Sequence, residues 1–328
     1  EMKIGYSEDL LNESFDIVAV NDLTDTKTLV YLLKYDSVYG RYGKKVEAKD
    51  GHFEIEGKEI KVFAEKNPAN LPWEDLNIDI VVESTGFFTN GDKVKLHLYA
   101  GAKRVVITAP ADGGVETALI GINDDKFGAK HPLTCNASCT TNSVAPVMAI
   151  LEENFGIEKA SLLTVHGYTA TQKLVDGPDA KDVRRGRAAA VNIVPSATGA
   201  AKAVIQAIPS LEEKFGACAV RVPTITGSLS VITAQLKTAL QGNISKDTIN
   251  DVFKKAATDK RWEKVLKVTE DSVVSTDIIG EPYGAIIDLQ LTNIIGGNLV
   301  NIYSWYDNEA GYTATLVEHV KRVIENLT

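Results

Sequence analysis

Only three cysteines are spread over the 328 residues, a small and odd number. That count excludes a disulfide framework and fits a reducing, cytoplasmic setting. No apolar run approaches the ~18 residues that a membrane-spanning helix requires. The opening stretch EMKIGYSEDLLNES has no apolar centre of the kind a secretory leader carries. A basic surface is also missing. The net charge is −9, and lysines and arginines are dispersed apart from a short cluster near 181–187. This argues against nucleic acid or a membrane surface as partner. There is no internal repeat, no low-complexity segment and no metal site to be expected.

What remains is ordinary globular material, 44% hydrophobic and 24% charged, long enough for two domains. Over the first 110 residues, strand and helix patterns alternate. DIVAVND (16–22), IDIVVESTG (78–86) and RVVITAPA (104–111) are short apolar runs ending in small polar residues, the pattern of buried parallel strands. TKTLVYLLKYD (26–36) and KVKLHLYAGA (93–102) have helical spacing, and the second stops at glycine. FEIEGKEIKVF (53–63) alternates about a turn and reads as a hairpin. The alternation predicts an α/β fold with a doubly wound parallel sheet. Beyond about residue 159 the strands lengthen and alternate with polar residues, as in ASLLTVHGYTATQ, ACAVRVPT, LSVITAQLKT and AIIDLQLTN. These predict a second, mixed and largely antiparallel sheet, with helices near 199–214 and 245–258 and a long amphipathic one over 311–327.

The cysteine in ASCTTN (137–142) sits among hydroxyls rather than aliphatic side chains. The apolar spacing of the following SVAPVMAILEENFG predicts a helix, capped by Ser138, Thr140 or Thr141. Cys139 then lies at a helix N-terminus, where the partial positive charge favours thiolate and free amides attract anions. A base is needed beside it. His52, His97, His131 and His319 stand in turn, helical or pre-proline contexts and read as structural. His166 ends a strand that enters a polar loop, where catalytic groups are common.

Taken together, ASCTTN, TVHGYTATQKLVDGP, RRGRAAAVNIVPSATGAAKA, RVPT and SWYDNEAGY resemble phosphorylating glyceraldehyde-3-phosphate dehydrogenases. AVNDLTD, LLKYDSVYG, NPANLPW and VVESTGFF extend the resemblance from about residue 15 to the end. It implies a Rossmann domain over 1–138 and 308–328 and a catalytic domain over 139–307. It implies Cys139 as nucleophile and His166 as base, with glyceraldehyde 3-phosphate and inorganic phosphate as substrates and NAD as cofactor. Ser138, Thr140, Thr198 and Gly199 would bind inorganic phosphate, and Thr169, Arg185 and Arg221 the substrate phosphate. Asp22 would hold the adenosine ribose and disfavour a 2′-phosphate, selecting NAD over NADP. Lys66, Thr85, Gly86 and Thr108 would line the cofactor, Asn308 would hold the nicotinamide carboxamide, and Tyr312 would pack nearby. The long loop at about 170–197 would lie at the core of a homotetramer.

The resemblance breaks at the start. Gly5 is the only glycine before Gly40, so the Gly-x-Gly-x-x-Gly turn is missing, and the 21 residues from Met2 to Asp22 are too few for a strand, turn, crossover helix and second strand, which need about 30. The favoured reading is that about a dozen residues are left out of the chain as given. The rival is a true deletion that damages the pyrophosphate site. Smaller departures are Ala310, EPYGAIID, which lacks the serine pair usual before that strand, and Cys135, which reads as a small buried residue at a strand end. Rival functions are dehydrogenation of erythrose 4-phosphate, or a cofactor-deficient scaffold.

Overall fold

A computed structural model describes residues 15–180, 182–237 and 244–327; the stretch around Gly5, where the glycine-rich turn is missing, lies outside them. The chain divides into two compact units. Among the described residues the first holds 15–116, 125–135 and 317–327, and the second holds 117–124 and 136–316.

In the first unit, three strands, Ile80–Glu83, Arg104–Ile107 and Leu133–Cys135, pair in parallel. Their Val, Ile and Leu side chains pack with Leu71, Trp73 and Val94 as one apolar cluster. Ala19–Asn21 runs parallel to Lys58–Phe63, and that sheet continues antiparallel through His52–Ile55 and Val46–Ala48. The hairpin turn puts Glu56 at φ 51° and Gly57 at φ 84°, the two left-handed residues of a tight two-residue loop that matches strand twist. Helix Thr26–Lys34 starts at Asp25, whose carboxylate accepts the Thr28 amide, and buries Val30 against Val46, Phe53 and Ile60. Helix Gly91–Tyr99 is capped by Asn90 and followed by Gly101 at φ 106°, where a Cβ would come within 2.5 Å of Glu74. That close approach makes glycine the stop signal read in the sequence.

His97 lies buried on this helix, as a structural residue. Trp73 Nε1 donates to its Nδ1 at 3.1 Å, so the proton sits on Nε2, which donates to Glu83 at 3.0 Å. Glu83 also accepts the Thr85 amide at 2.7 Å and fixes the turn that follows its strand.

The second unit is built on an eight-stranded sheet. Its order runs Val194–Ser196, Phe215–Val222, Ile157–Gly167, Ser228–Leu236, Leu299–Tyr306, Ala285–Asp288 and Leu266–Thr269, with Asn293–Ile295 beside Leu299–Tyr306. Ile157–Gly167 pairs in parallel with Phe215–Val222, and Leu266–Thr269 with Ala285–Asp288; the other pairings are antiparallel. Alternate residues of Ser228–Leu236 are buried, the period-two pattern of a sheet with one covered face. The cover is helix Cys139–Phe155, which is buried nearly all round and packs also on helices Ala200–Ala207 and Lys246–Ala257. The helix expected over 199–214 ends at Ala207, because Pro209 cannot continue the hydrogen-bond ladder and keeps Ile208 out of the helical region, at φ −129° and ψ 79°. The final helix, Ala310–Glu325, receives its first amides on Asp307, whose Oδ1 accepts from Glu309 and Ala310.

Candidate active site

The turn into helix Cys139–Phe155 is built by ASCTTN itself. Buried Ala137 adopts φ 53°, a left-handed conformation that costs a residue with a Cβ about 1 kcal/mol. Ser138 is the cap: its hydroxyl accepts the Thr141 amide at 3.1 Å. Asn142 closes the run, its Nδ2 donating to the carbonyls of Asn136 (2.8 Å) and Ser138 (3.0 Å). Four residues of the motif therefore hold the fifth, Cys139, as the first residue of the helix.

His166 arrives from the neighbouring strand, with Nε2 3.4 Å from Cys139 Sγ. Its strand runs parallel to that of Arg221, and the two residues are register partners. Arg221 Nη1 donates to the Gly167 carbonyl at 3.0 Å, and His166 Nδ1 is 2.7 Å from the same oxygen. In the tautomer with Nδ1–H donating to Gly167, the Nε2 lone pair faces the sulfur. Gly167 is required here because a Cβ would stand 2.9 Å from the Thr224 carbonyl. Arg221 Nη1 also lies 2.7 Å from Nδ1, so a protonated ring would meet a fixed cation. Burial first, and then Arg221, pull the His166 pKa down to about 3. The imidazole is neutral at any physiological pH.

Burial acts on the thiol in the opposite sense. It pushes the Cys139 pKa up, against the downward pull of the Arg221 charge and of hydrogen bonds from Thr140. The lowering expected from the helix end is present but outweighed by desolvation, which sequence does not reveal. The resting pair is a thiol beside a neutral base.

Arg221 has no carboxylate partner among the described residues, and its Nε is buried without a hydrogen bond. Arg185 is held by Ser196 Oγ (2.9 Å) and the Ala197 carbonyl (3.3 Å), and its charge is felt at both His166 and Arg221. Two unneutralised guanidinium groups beside the Cys–His pair form a place for an anion. Thr169 follows on the loop, its hydroxyl 3.0 Å from that of Thr171 and its carbonyl accepting the Gln172 amide. Thr198 accepts the Ala200 amide, and Gly199 heads helix Ala200–Ala207, which packs on the cysteine helix.

The sequence reading missed three contributors. Tyr306 is fully buried and its hydroxyl bridges Thr140 (3.0 Å) and Thr164 (2.8 Å), while its ring meets His166 edge-on. Desolvation raises its pKa, so it stays a neutral phenol. Gln172, three residues beyond Thr169, is buried with both ends of its amide unpartnered. Tyr306 and Thr164 come from strands 142 positions apart, and no local signal joins them.

The residues matching cofactor contacts stand at strand ends. Asp22 follows Ala19–Asn21; its Oδ1 accepts the Thr24 amide at 2.8 Å and Oδ2 has no partner among the described residues. Exposed Thr85 and Gly86 (φ 74°) follow Ile80–Glu83, and Thr108 donates its amide to the Glu83 carbonyl. Lys66 is exposed in the loop after Lys58–Phe63. Carboxyl ends of parallel strands are where open α/β sheets bind ligands. In the second unit, Asn308 Oδ1 accepts from Ser228 at 2.7 Å and Nδ2 has no partner among the described residues, so a donor is left for a carbonyl. Tyr312 donates to the Ala137 carbonyl at 3.3 Å. In the first unit, the Asp22 oxygen without a partner among the described residues fits a ribose hydroxyl; in the second, Asn308 Nδ2 fits a carboxamide oxygen.

Residues 6–91 match the NAD-binding domain of glyceraldehyde 3-phosphate dehydrogenase, and residues 138–308 match its C-terminal domain. The glyceraldehyde-3-phosphate dehydrogenase of Thermotoga maritima is 47% identical over 314 residues, covering 96% of this chain and 92% of that protein. That of Borreliella burgdorferi is 44% identical over 315 residues, covering 94% and 93%. The Clostridium pasteurianum enzyme is 46% identical over 306 residues, covering 92% and 89%. On these matches, which run through both units, the chain belongs to the glyceraldehyde-3-phosphate dehydrogenase family of NAD-dependent oxidoreductases.

Proposed function

We propose that this chain oxidises glyceraldehyde 3-phosphate to 1,3-bisphosphoglycerate, consuming NAD and inorganic phosphate. The observation that carries this reading is the thiol 3.4 Å from a neutral imidazole, beside an arginine that has no carboxylate partner. Cys139 Sγ attacks the aldehyde carbon while Nε2 of His166 relays the thiol proton to the carbonyl oxygen, giving a hemithioacetal. Bound NAD supplies the hydride acceptor. As the hydride leaves carbon, Nε2 takes the hydroxyl proton, and a thioester remains on Cys139. A phosphate oxygen then attacks the acyl carbon, the carbon–sulfur bond breaks, and the departing thiolate recovers its proton from His166. The product is an acyl phosphate, and the pair returns to thiol and imidazole.

Arg221, Arg185 and Thr169 hold the substrate phosphate, and Ser138, Thr140, Thr198 and Gly199 the attacking one. Asp22, Lys66, Thr85, Gly86 and Thr108 hold the adenosine side of NAD. Asn308 and Tyr312 hold its nicotinamide. The homotetramer is supported by Leu174, Val175, Val183, Val191 and Ile193, five large apolar side chains of the 170–197 loop, each more than 70% exposed in the single chain. Three free thiols accord with a reducing cytoplasm.

The test is formation of NADH from purified protein, NAD, inorganic phosphate and glyceraldehyde 3-phosphate. Turnover should exceed that with erythrose 4-phosphate and should fall when phosphate is withheld; no NADH under these conditions rejects the reading. Arg221→Ala supplies a second check. Losing a half-buried charge that binds the substrate phosphate is expected to cost about 2–4 kcal/mol, or roughly 30- to 1000-fold in kcat/KM. With unphosphorylated glyceraldehyde the loss should stay within about tenfold. Equal losses on both substrates would remove Arg221 from the phosphate site.

A further inference from the structure

The peptide that follows His166 is tied to Asn308 through one buried hydroxyl. Ser228 opens strand Ser228–Leu236 and is wholly inaccessible to solvent. Its Oγ accepts the Gly167 amide at 3.1 Å and lies 2.7 Å from Asn308 Oδ1. A serine hydroxyl has one proton and two lone pairs. The Gly167 N–H occupies one lone pair, and the proton is donated to Asn308 Oδ1, 2.7 Å away. That choice decides which end of the Asn308 amide faces inward. Oδ1 turns to Ser228, and Nδ2 is the end left over.

Thr226 is the only other donor to that oxygen among the described residues. Its hydroxyl lies 3.3 Å from Asn308 Oδ1 but 3.1 Å from Asp307 Oδ1, and a carboxylate is the stronger acceptor. The Thr226 proton therefore goes to Asp307, and Ser228 alone orients Asn308. The same Gly167 accepts Arg221 at its carbonyl, so both of its backbone polar groups are held.

We propose that Ser228 is a positioning residue for the nicotinamide: it fixes Asn308 with Nδ2 outward as carboxamide donor and ties that amide to the His166–Gly167 peptide. The inference rests on the NAD reading above. Without the Ser228 hydroxyl, Asn308 loses the contact that distinguishes its two amide ends, and the flipped rotamer presents oxygen to a carbonyl.

The test compares two ligands by titration calorimetry on full-length protein: NAD, and ADP-ribose, which lacks the nicotinamide. Ser228→Ala is expected to weaken NAD about tenfold, the size of one lost hydrogen bond with repulsion in its place, and to leave ADP-ribose unchanged. In an Asn308→Ala background, Ser228→Ala should have no further effect on NAD. Ser228→Thr, which keeps the hydroxyl, should restore the NAD-to-ADP-ribose ratio; if the alanine protein does not fold, Ser228→Cys, with its weak donor, should show a ratio shifted the same way. An unchanged ratio, equal losses for both ligands, or full additivity with Asn308→Ala would overturn the positioning role alone. Wild-type protein that binds ADP-ribose but not NAD, or neither, would overturn the cofactor reading and this role with it.

Discussion

Cys139→Ser protein is expected to fold and to lose aldehyde oxidation by roughly 10⁴-fold or more, the scale on which loss of a covalent nucleophile acts. The hydroxyl is a far weaker nucleophile than the thiol, and the neutral His166 opposite it can take its proton only at a higher cost. The fold should survive because Cys139 makes no structural bond that a hydroxyl cannot make; the helix is capped by Ser138 and closed by Asn142. The check pairs NADH formation with thermal unfolding. Retained turnover would take the nucleophile's role from Cys139. A second signature follows from burial. Because the thiol pKa is pushed up, alkylation of Cys139 in wild-type protein should accelerate as pH rises above neutrality.

The second large effect is that of His166→Gln. Removing a general base costs typically 10²–10⁴-fold, and here it also removes the relay that protonates the departing thiolate. The same substitution should change the acid limb of stability. The ring titrates at about 3 in the folded chain against 6.5 when exposed. Between those values the unfolded state binds a proton that the folded state refuses, so stability rises with pH across that window. It is lost as pH falls below 6.5, by up to about 5 kcal/mol at pH 3. Glutamine does not titrate, so the variant's unfolding midpoint should fall less steeply between pH 6.5 and 4. Parallel wild-type and variant curves over that range would mean that the imidazole is not held neutral by its surroundings.

Much of the frame was legible because it is written in short-range patterns. The Glu56–Gly57 turn, the Asn90 cap and the Gly101 stop are each set by a few adjacent residues, and the strand runs of the first unit follow from apolar content alone. The cysteine at a helix start was legible for the same reason. The end of helix Ala200–Ala207 was misjudged by apolar periodicity, although Pro209 was there to be read. What could not be read was whatever depends on distant partners. Tyr306 touches Thr140 across 166 positions, and Ser228 reaches Asn308 across 80. The thiol pKa belongs to the same class. The helix end that lowers it is local, whereas the burial that raises it is assembled from the whole second unit.

Cys135 and Cys139 stand four positions apart, yet the first is completely enclosed at the end of a parallel strand and the second is partly accessible at its helix start. An electrophile therefore meets them under different regimes. Cys139 is modified from the native ensemble, whereas Cys135 waits for a local opening of its strand. In the mass ladder of a single labelling time course, exposed Cys218 and partly accessible Cys139 would supply the early, chemical steps and Cys135 the last, set by cooperative breathing of the sheet, so the protein carries its own clock for how often that sheet comes apart.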